Sequence, residues 1–258
     1  MGMGMKLSRR SVTRGLGGLA CASAAGLPAR AADQSVWTFD SLDSIGGLKP
    51  RVEGHPQVIA TPWGKAIEFN GVDDALFFDQ HPLAGFPAFT FEAIFRPDGG
   101  DASQRWFHLA EVDPVTGRDS LPTGTQDPNP RFTFELRVLN QDQWYLDAFT
   151  AGPGYNKPLQ FSDKLHTVGH WYTVAQTYDG RMYRSFVDGV LQGEAPIDFK
   201  PQGPGHASVG TRINRLNYFR GAVMMARFTP KALTPEEFLK VPTPVAPPSR
   251  NQPRPSAN

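Results

Sequence analysis

The side chains best placed by spacing to do chemistry are carboxylates and guanidiniums on two alternating stretches. Residues 89–96, FTFEAIFR, turn Phe89, Phe91, Ala93 and Phe95 one way and Thr90, Glu92, Ile94 and Arg96 the other. Residues 132–138 repeat the pattern, with Phe132, Phe134, Leu136 and Val138 inward and Thr133, Glu135 and Arg137 outward. Glu92 and Glu135, with Arg137 beside them, have the chemistry of an acid and base working on a glycosidic bond, a role that needs carboxyls about 5–9 Å apart. The plainer reading makes them ion pairs with Arg96 and Arg137 on a solvated sheet face, worth a few tenths of a kcal/mol each.

A second set suits binding. Trp144, Tyr145, Tyr155, Asn156, Arg212, Asn214, Arg215 and Tyr218 lie in or beside expected loops and mix aromatic faces with planar polar groups. Sugars stack C–H faces on aromatics and hydrogen-bond their hydroxyls to Asn, Arg and Asp, so Trp144, Tyr155, Asn156, Arg212, Asn214 and Tyr218 are the candidate ligand residues. Aromatics near strand ends also serve as core or rim packing. The six histidines form no H-E-x-x-H or Cys/His cluster, which argues against zinc. His166 and His170 are four apart, a helical spacing in a stretch that enters a strand, and His108 reads as structural. There is no G-x-S-x-G, phosphate loop or dinucleotide fingerprint. A net charge of +1 without a basic block gives no case for nucleic acid.

The elements that must hold these residues are strands. Residues 170–189, HWYTVAQTYDGRMYRSFVDG, form the central hairpin: aromatic and β-branched residues run to Asp179-Gly180, return, and stop at Asp188-Gly189. Further strands are expected at 36–40, 65–69, 75–78, 106–112, 143–149, 207–211 and 221–228. Residues 113–130 and 152–158 read as loops. Thr234-Pro235-Glu236-Glu237 has the capping pattern of one short helix. Twenty-six glycines and 24 prolines favour turns over long helices.

The domain plan is a signal peptide over 1–31, one folded domain over 32–241 and a Pro-rich disordered tail over 242–258. Ser8-Arg9-Arg10-Ser11-Val12 resembles the twin-arginine export motif, a weakly apolar run follows, and Ala29-Arg30-Ala31 supplies an A-x-A cleavage site. The run is too short to remain as a membrane span. Cys21, the single cysteine, follows Gly18-Leu19-Ala20, which departs from a lipoprotein signal. The expected destination is therefore the periplasm or the exterior of a bacterial cell, without disulfides.

Four pieces resemble the laminin-G-like, concanavalin A-like jelly rolls of secreted bacterial proteins. They are GKAIEFNGVDD at 64–74, FTFEAIFRP at 89–97, residues 171–189, and the span from Phe219-Arg220-Gly221 to Leu233-Thr234-Pro235-Glu236-Glu237-Phe238. The resemblance implies an all-β, two-sheet antiparallel jelly-roll sandwich with one short C-terminal helix. It also implies a structural calcium site using an acid on the first strand, here Asp40. Met224-Met225 stand where the family has an acidic pair, so no cofactor is expected. Ile94 replaces the family's exposed strand tryptophan. Glu111-Val112-Asp113 lacks the second glutamate of the glucanase signature, and Glu135-Leu136-Arg137 lacks the partner motifs of alginate lyases.

The reading that follows is an exported, non-catalytic module for a carbohydrate or cell-surface ligand. One alternative is a polysaccharide-active glycosidase or lyase using Glu92 with Glu135 or Arg137. Another is a structural adhesion protein of the envelope, with its tail as a spacer.

Overall fold

The computed structural model describes residue 1, residues 34–119 and residues 130–242. All but the first residue of the expected signal peptide, Cys21 included, and all but the first residue of the expected tail lie outside the described residues. In chain order the strands are β1 (Ser35–Thr38), β2 (Arg51–Glu53), β3 (Gln57–Thr61), β4 (Gly64–Asn70), β5 (Ala75–Phe78), β6 (Phe89–Pro97), β7 (Ser103–Glu111) and β8 (Arg131–Leu139). They continue with β9 (Gln143–Gly152), β10 (Tyr155–Gln160), β11 (His166–Thr167), β12 (Tyr172–Tyr178), β13 (Met182–Val187), β14 (Val190–Pro196), β15 (Gly205–Val209) and β16 (Arg220–Thr229).

These make two antiparallel sheets of eight strands each among the described residues. The first runs β14-β13-β12-β6-β16-β4-β3, with β1 also on β16; the second runs β10-β9-β8-β7-β15-β5-β2, with β11 also on β9. The all-β jelly-roll expectation is met. Alternation turns one face of each sheet inward, and the two inner faces close on a shared aromatic core. Phe89, Phe91 and Phe95 from β6 meet Trp106, Phe107, Phe132 and Phe134 of the second sheet, all fully buried. Phe91 lies 4.3 Å from Phe134 and Phe95 stacks 4.5 Å from Trp106, centroid to centroid.

A bulge between Arg105 and Phe107 lets β7 send both Trp106 and Phe107 into this core. The strand then resumes its phase, so Arg105 and His108 share the outer face. The hairpin forms as expected, with Tyr178 paired to Tyr183 and Asp179 Oδ1 accepting the Arg181 and Met182 N–H groups at 2.9 and 2.8 Å. Asp188 and Gly189, at φ 47° and 76°, make the two-residue turn from β13 to β14.

Two local expectations change. Residues 152–158 are not a loop: β9 turns through Pro153-Gly154 into β10, an edge strand that tolerates Pro158 because one side needs no ladder donor. The short C-terminal helix is a single 3-10 turn, Pro235–Glu237. Its capping box forms, but Glu92 Oε1 takes the Leu239 N–H at 2.6 Å and Arg227 donates to the Glu237 carbonyl at 2.7 Å. Side chains from the first sheet thus satisfy groups that a longer helix would have used. No helix among the described residues is long and apolar enough to cross a membrane.

Candidate functional site

On the outer face of the second sheet, register sets polar residues in rows. One row runs Arg105–Glu135–Asp147–Gln160 across β7, β8, β9 and β10. Beside it stand Ser103, Arg137 and Tyr145; on the other side come His108, Thr133, Phe149 and Pro158, then Ala110, Arg131, Ala151 and Asn156. The loop of residues 211–218 folds over the neighbouring part of this face. Its Ile213 joins Ala75, Phe77 and Ala110 in a small apolar cluster against which Tyr218 packs. The Ile213 N–H donates to His108 Nδ1 at 3.2 Å. Where the loop ends, a groove of about 290 Å³ remains, lined by Arg105, Arg131, Glu135, Arg137, Asp147, Phe149, Pro158, Gln160 and Arg212.

The two carboxylates here are held by two of the arginines. Arg105 Nε donates to Glu135 Oε1 at 3.1 Å, and Arg137 Nε donates to Asp147 Oδ2 at 2.9 Å. Arg137 Nη2 also reaches Glu135 Oε2 at 3.4 Å, and Gln160 Nε2 donates to Asp147 at 3.2 Å. Arg105 and Arg137 both donate to Ser103 Oγ, and Arg105 also to Asn217 Oδ1. The Arg131 guanidinium lies 4.7 Å from the Phe149 ring centroid, a cation–π contact.

Electrostatics follow from this crowding. Burial, then the charge of Arg212, pushes Arg131 down to about 10. Burial, then Arg105, lowers Arg212. Burial raises Glu135 against the pull of Arg105, and Asp147 adds to the rise. His108, fully buried beneath the loop, is held well below the usual imidazole range by burial and then by Arg212 and Arg131. It is therefore neutral, and since Nδ1 accepts from Ile213, Nε2 carries the proton. That N–H has no acceptor among the described residues.

The structure brings together some of the sequence-derived residues and separates others. Glu135, Arg137 and Arg212 line the groove, Asn156 stands at the edge of the same face, and Asn214 and Tyr218 belong to the covering loop. Trp144 is a correction: it is fully buried, 5.2 Å from the Phe95 ring and 4.9 Å from His166, so it offers no face to a ligand. Tyr155 is another. It packs 5.6 Å from Phe199 and its hydroxyl accepts from Gln202 at 3.3 Å, with burial pushing its pKa up to about 12.

Glu92 and Glu135 do not share a cleft. Glu92 lies on the outer side of the first sheet, paired with Arg227 rather than Arg96 and 1% exposed, while Glu135 lies on the outer side of the second. Burial raises the Glu92 carboxyl against the Leu239 N–H and Arg227. Arg96 instead bridges Asp98 and Glu68 at 2.7 and 2.8 Å.

Arg105, Arg131, Asp147, Phe149 and Gln160 were missed by the sequence reading. The alternation that marked Thr133, Glu135 and Arg137 as outward, extended by two residues, reaches Arg131.

A larger hollow of about 720 Å³ lies at the rim of the first sheet, lined by residues that include His55, Glu68, Asn70, Asp74, Arg96 and Asp98. Its carboxylates are occupied: Asp74 accepts the His55 and Asn70 N–H groups at 2.6 and 2.9 Å, and Arg96 holds the other two. It braces the end of the sandwich. The calcium implied at Asp40 does not fit the chain. Asp40 is exposed, Met224 and Met225 offer thioethers where a hard cation needs oxygens, and no cluster of three or more His, Cys, Asp or Glu side chains suited to a metal occurs among the described residues.

A family profile described as the Concanavalin A-like lectin/glucanases superfamily (Laminin_G_3) matches residues 70–238. No curated protein sequence matches the chain. Among solved structures, domain 4 of a GH43 extracellular arabinanase from Geobacillus stearothermophilus, in complex with arabinotriose, aligns with TM-score 0.54 and 15% identity, over 80% of this chain and 97% of that one. The binding domain of botulinum neurotoxin DC with SialylT gives 0.53 and 8% identity, over 80% of this chain and 49% of its own. Trypanosoma rangeli sialidase with the inhibitor DANA gives 0.52 and 13%, over 79% of this chain and 31% of its own. The chain thus spans nearly all of the arabinanase domain but less than half of the other two. At these identities the likeness is one of fold.

Proposed function

Because the chain belongs to the concanavalin A-like lectin/glucanases superfamily, we propose that it binds a carbohydrate or glycoconjugate, without cleaving it, on the outer face of its second sheet. The observation that carries this reading is the groove itself. Planar donors and acceptors from four registered strands and one loop converge there around Phe149, on a rigid sheet. The near-complete overlap with an arabinanase domain solved with arabinotriose supports a sugar ligand for a module of this size. The separation of Glu92 from Glu135 removes the acid–base pair that a glycosidase reading would use.

We also assign residues 1–31 to a twin-arginine-type signal peptide, 32–241 to the binding domain and 242–258 to a tail, with the mature protein in the periplasm or outside the cell. A glycan array on the full-length protein, followed by product analysis of each bound polysaccharide, tests the function. Binding with no cleavage is expected. Shortened products would make it an enzyme, and no binding to any glycan would remove the reading.

A further inference from the structure

We propose that the loop of residues 211–218 closes one end of this groove, so that the groove takes the end of a linear glycan chain. The rest of the chain leaves over edge strand β10. The inference rests on the glycan reading above and adds which part of a glycan is recognised. The row Arg105–Glu135–Asp147–Gln160 sets the direction of the groove, across β7, β8, β9 and β10. Arg137 borders the row on one side, and Phe149 and Pro158 border it on the other. Three strand spacings make the row about 14 Å long, room for roughly three linked sugar rings.

At its β7 end the row stops against the loop. The Arg105 backbone N–H donates to the Asn217 carbonyl at 2.9 Å, so the loop stands there in place of a neighbouring strand. Beyond it, over β15 and β5, the same outer face is built over. Ser208 is fully buried, its hydroxyl donating to the Thr211 carbonyl at 2.8 Å, and the guanidiniums of Arg51 and Arg215 cover Phe77 at 4.4 and 4.7 Å. Three attachments hold the loop down. Ile213 is pinned to His108, Arg215 donates to both Glu53 oxygens at 2.8 and 2.7 Å, and Asn217 is joined to Arg105. Glu53 lies on β2 and Arg105 on β7, so the loop is clamped across the whole covered part of the sheet. It cannot swing aside for a threading chain without breaking these bonds. The opposite end differs. β10 is the edge of its sheet, Pro158 and Gln160 are exposed, and no strand lies beyond it among the described residues. A chain entering there runs up against half-buried Arg212, and a sugar whose next unit points at the loop is excluded by overlap.

Titration calorimetry on the full-length protein tests this with linear arabinan, pullulan and polygalacturonate, each as a short and a long fraction of narrow size range. For the polymer that binds, one protein per chain is expected at either length, because each chain brings one end of the kind the groove accepts. Borohydride opens the terminal ring at the reducing end. Loss of binding after that treatment assigns the reducing end, and binding retained assigns the other. Among oligosaccharides of the same polymer, affinity should stop rising at about three to four units. Arg212→Ala, at the closed end, should weaken both fractions by the same factor, roughly five-fold or more. Lys65→Ala, an exposed change on the first sheet, should leave binding unaltered. Protein bound in proportion to chain length, or binding untouched by Arg212→Ala, would overturn the end-on assignment, while the binding itself would still support the glycan reading. No binding of any probe would overturn both.

Discussion

Single residues decide which charges this sandwich tolerates and which it uses. His81 is fully buried by the second sheet, accepting the Leu83 N–H on Nδ1 at 3.2 Å and donating from Nε2 to Gln202 at 3.0 Å. Burial holds its pKa at about 4, below the unfolded value of 6.5. As pH falls through this window the unfolded chain takes up the proton first, so stability is lost between about pH 6.5 and 4. His108 acts in the same direction. Unfolding midpoints in urea should therefore drop across that range, and His81→Gln should flatten the slope by about one proton. Glu92 makes a different prediction. Its carboxylate accepts from Arg227 and from the Leu239 N–H. Glu92→Ala should cost about 3 kcal/mol of stability by leaving the partly buried Arg227 without its carboxylate and the Leu239 N–H without its acceptor, while glycan affinity stays unchanged. A loss of binding with stability intact would return Glu92 to the functional site.

At the level of elements, the site depends on how the loop over residues 211–218 is closed. Gly210 starts it at φ +88°, and a Cβ there would lie 2.4 Å from the Phe69 ring and 2.7 Å from the Asp74 carbonyl. Gly210 also donates to the Trp106 carbonyl and accepts from the Phe219 N–H, at 2.9 and 2.8 Å. Gly210→Ala should cost roughly 2–4 kcal/mol and weaken ligand binding together with stability, read by urea unfolding and calorimetry.

The strands carrying Glu135 and Arg137 were legible because Phe132, Phe134 and Leu136 alternate with polar residues. The next strand was not so clear. In QWYLDAF both phases contain aromatics, Trp144 on one and Tyr145 and Phe149 on the other, so local pattern could not say which faced the core. Edge strand β10 was hidden by Gly154 and Pro158, which read as loop residues until pairing with β9 accounts for them. The approach of Arg212 to Arg131 joins positions 81 residues apart in sequence. No periodicity encodes such a contact.

At the scale of the folded domain, two sheets joined by one aromatic core present two unlike outer faces. The first is braced by paired charges and a small apolar cluster of Ala66, Ile94, Ala222 and Met224, with Trp63 and Trp171 packed against it. The second carries a groove lined by planar polar side chains around Phe149. Binding to that groove should slow backbone exchange where the ligand sits, because ordering a site suppresses local opening. Hydrogen–deuterium exchange with and without the tightest glycan from the array is thus the most direct measurement. Protection confined to residues 131–137, 145–149, 156–160 and 211–218 is the predicted result. Protection centred on the rim hollow around His55, Asp74 and Asp98, with the second sheet unchanged, would contradict the account.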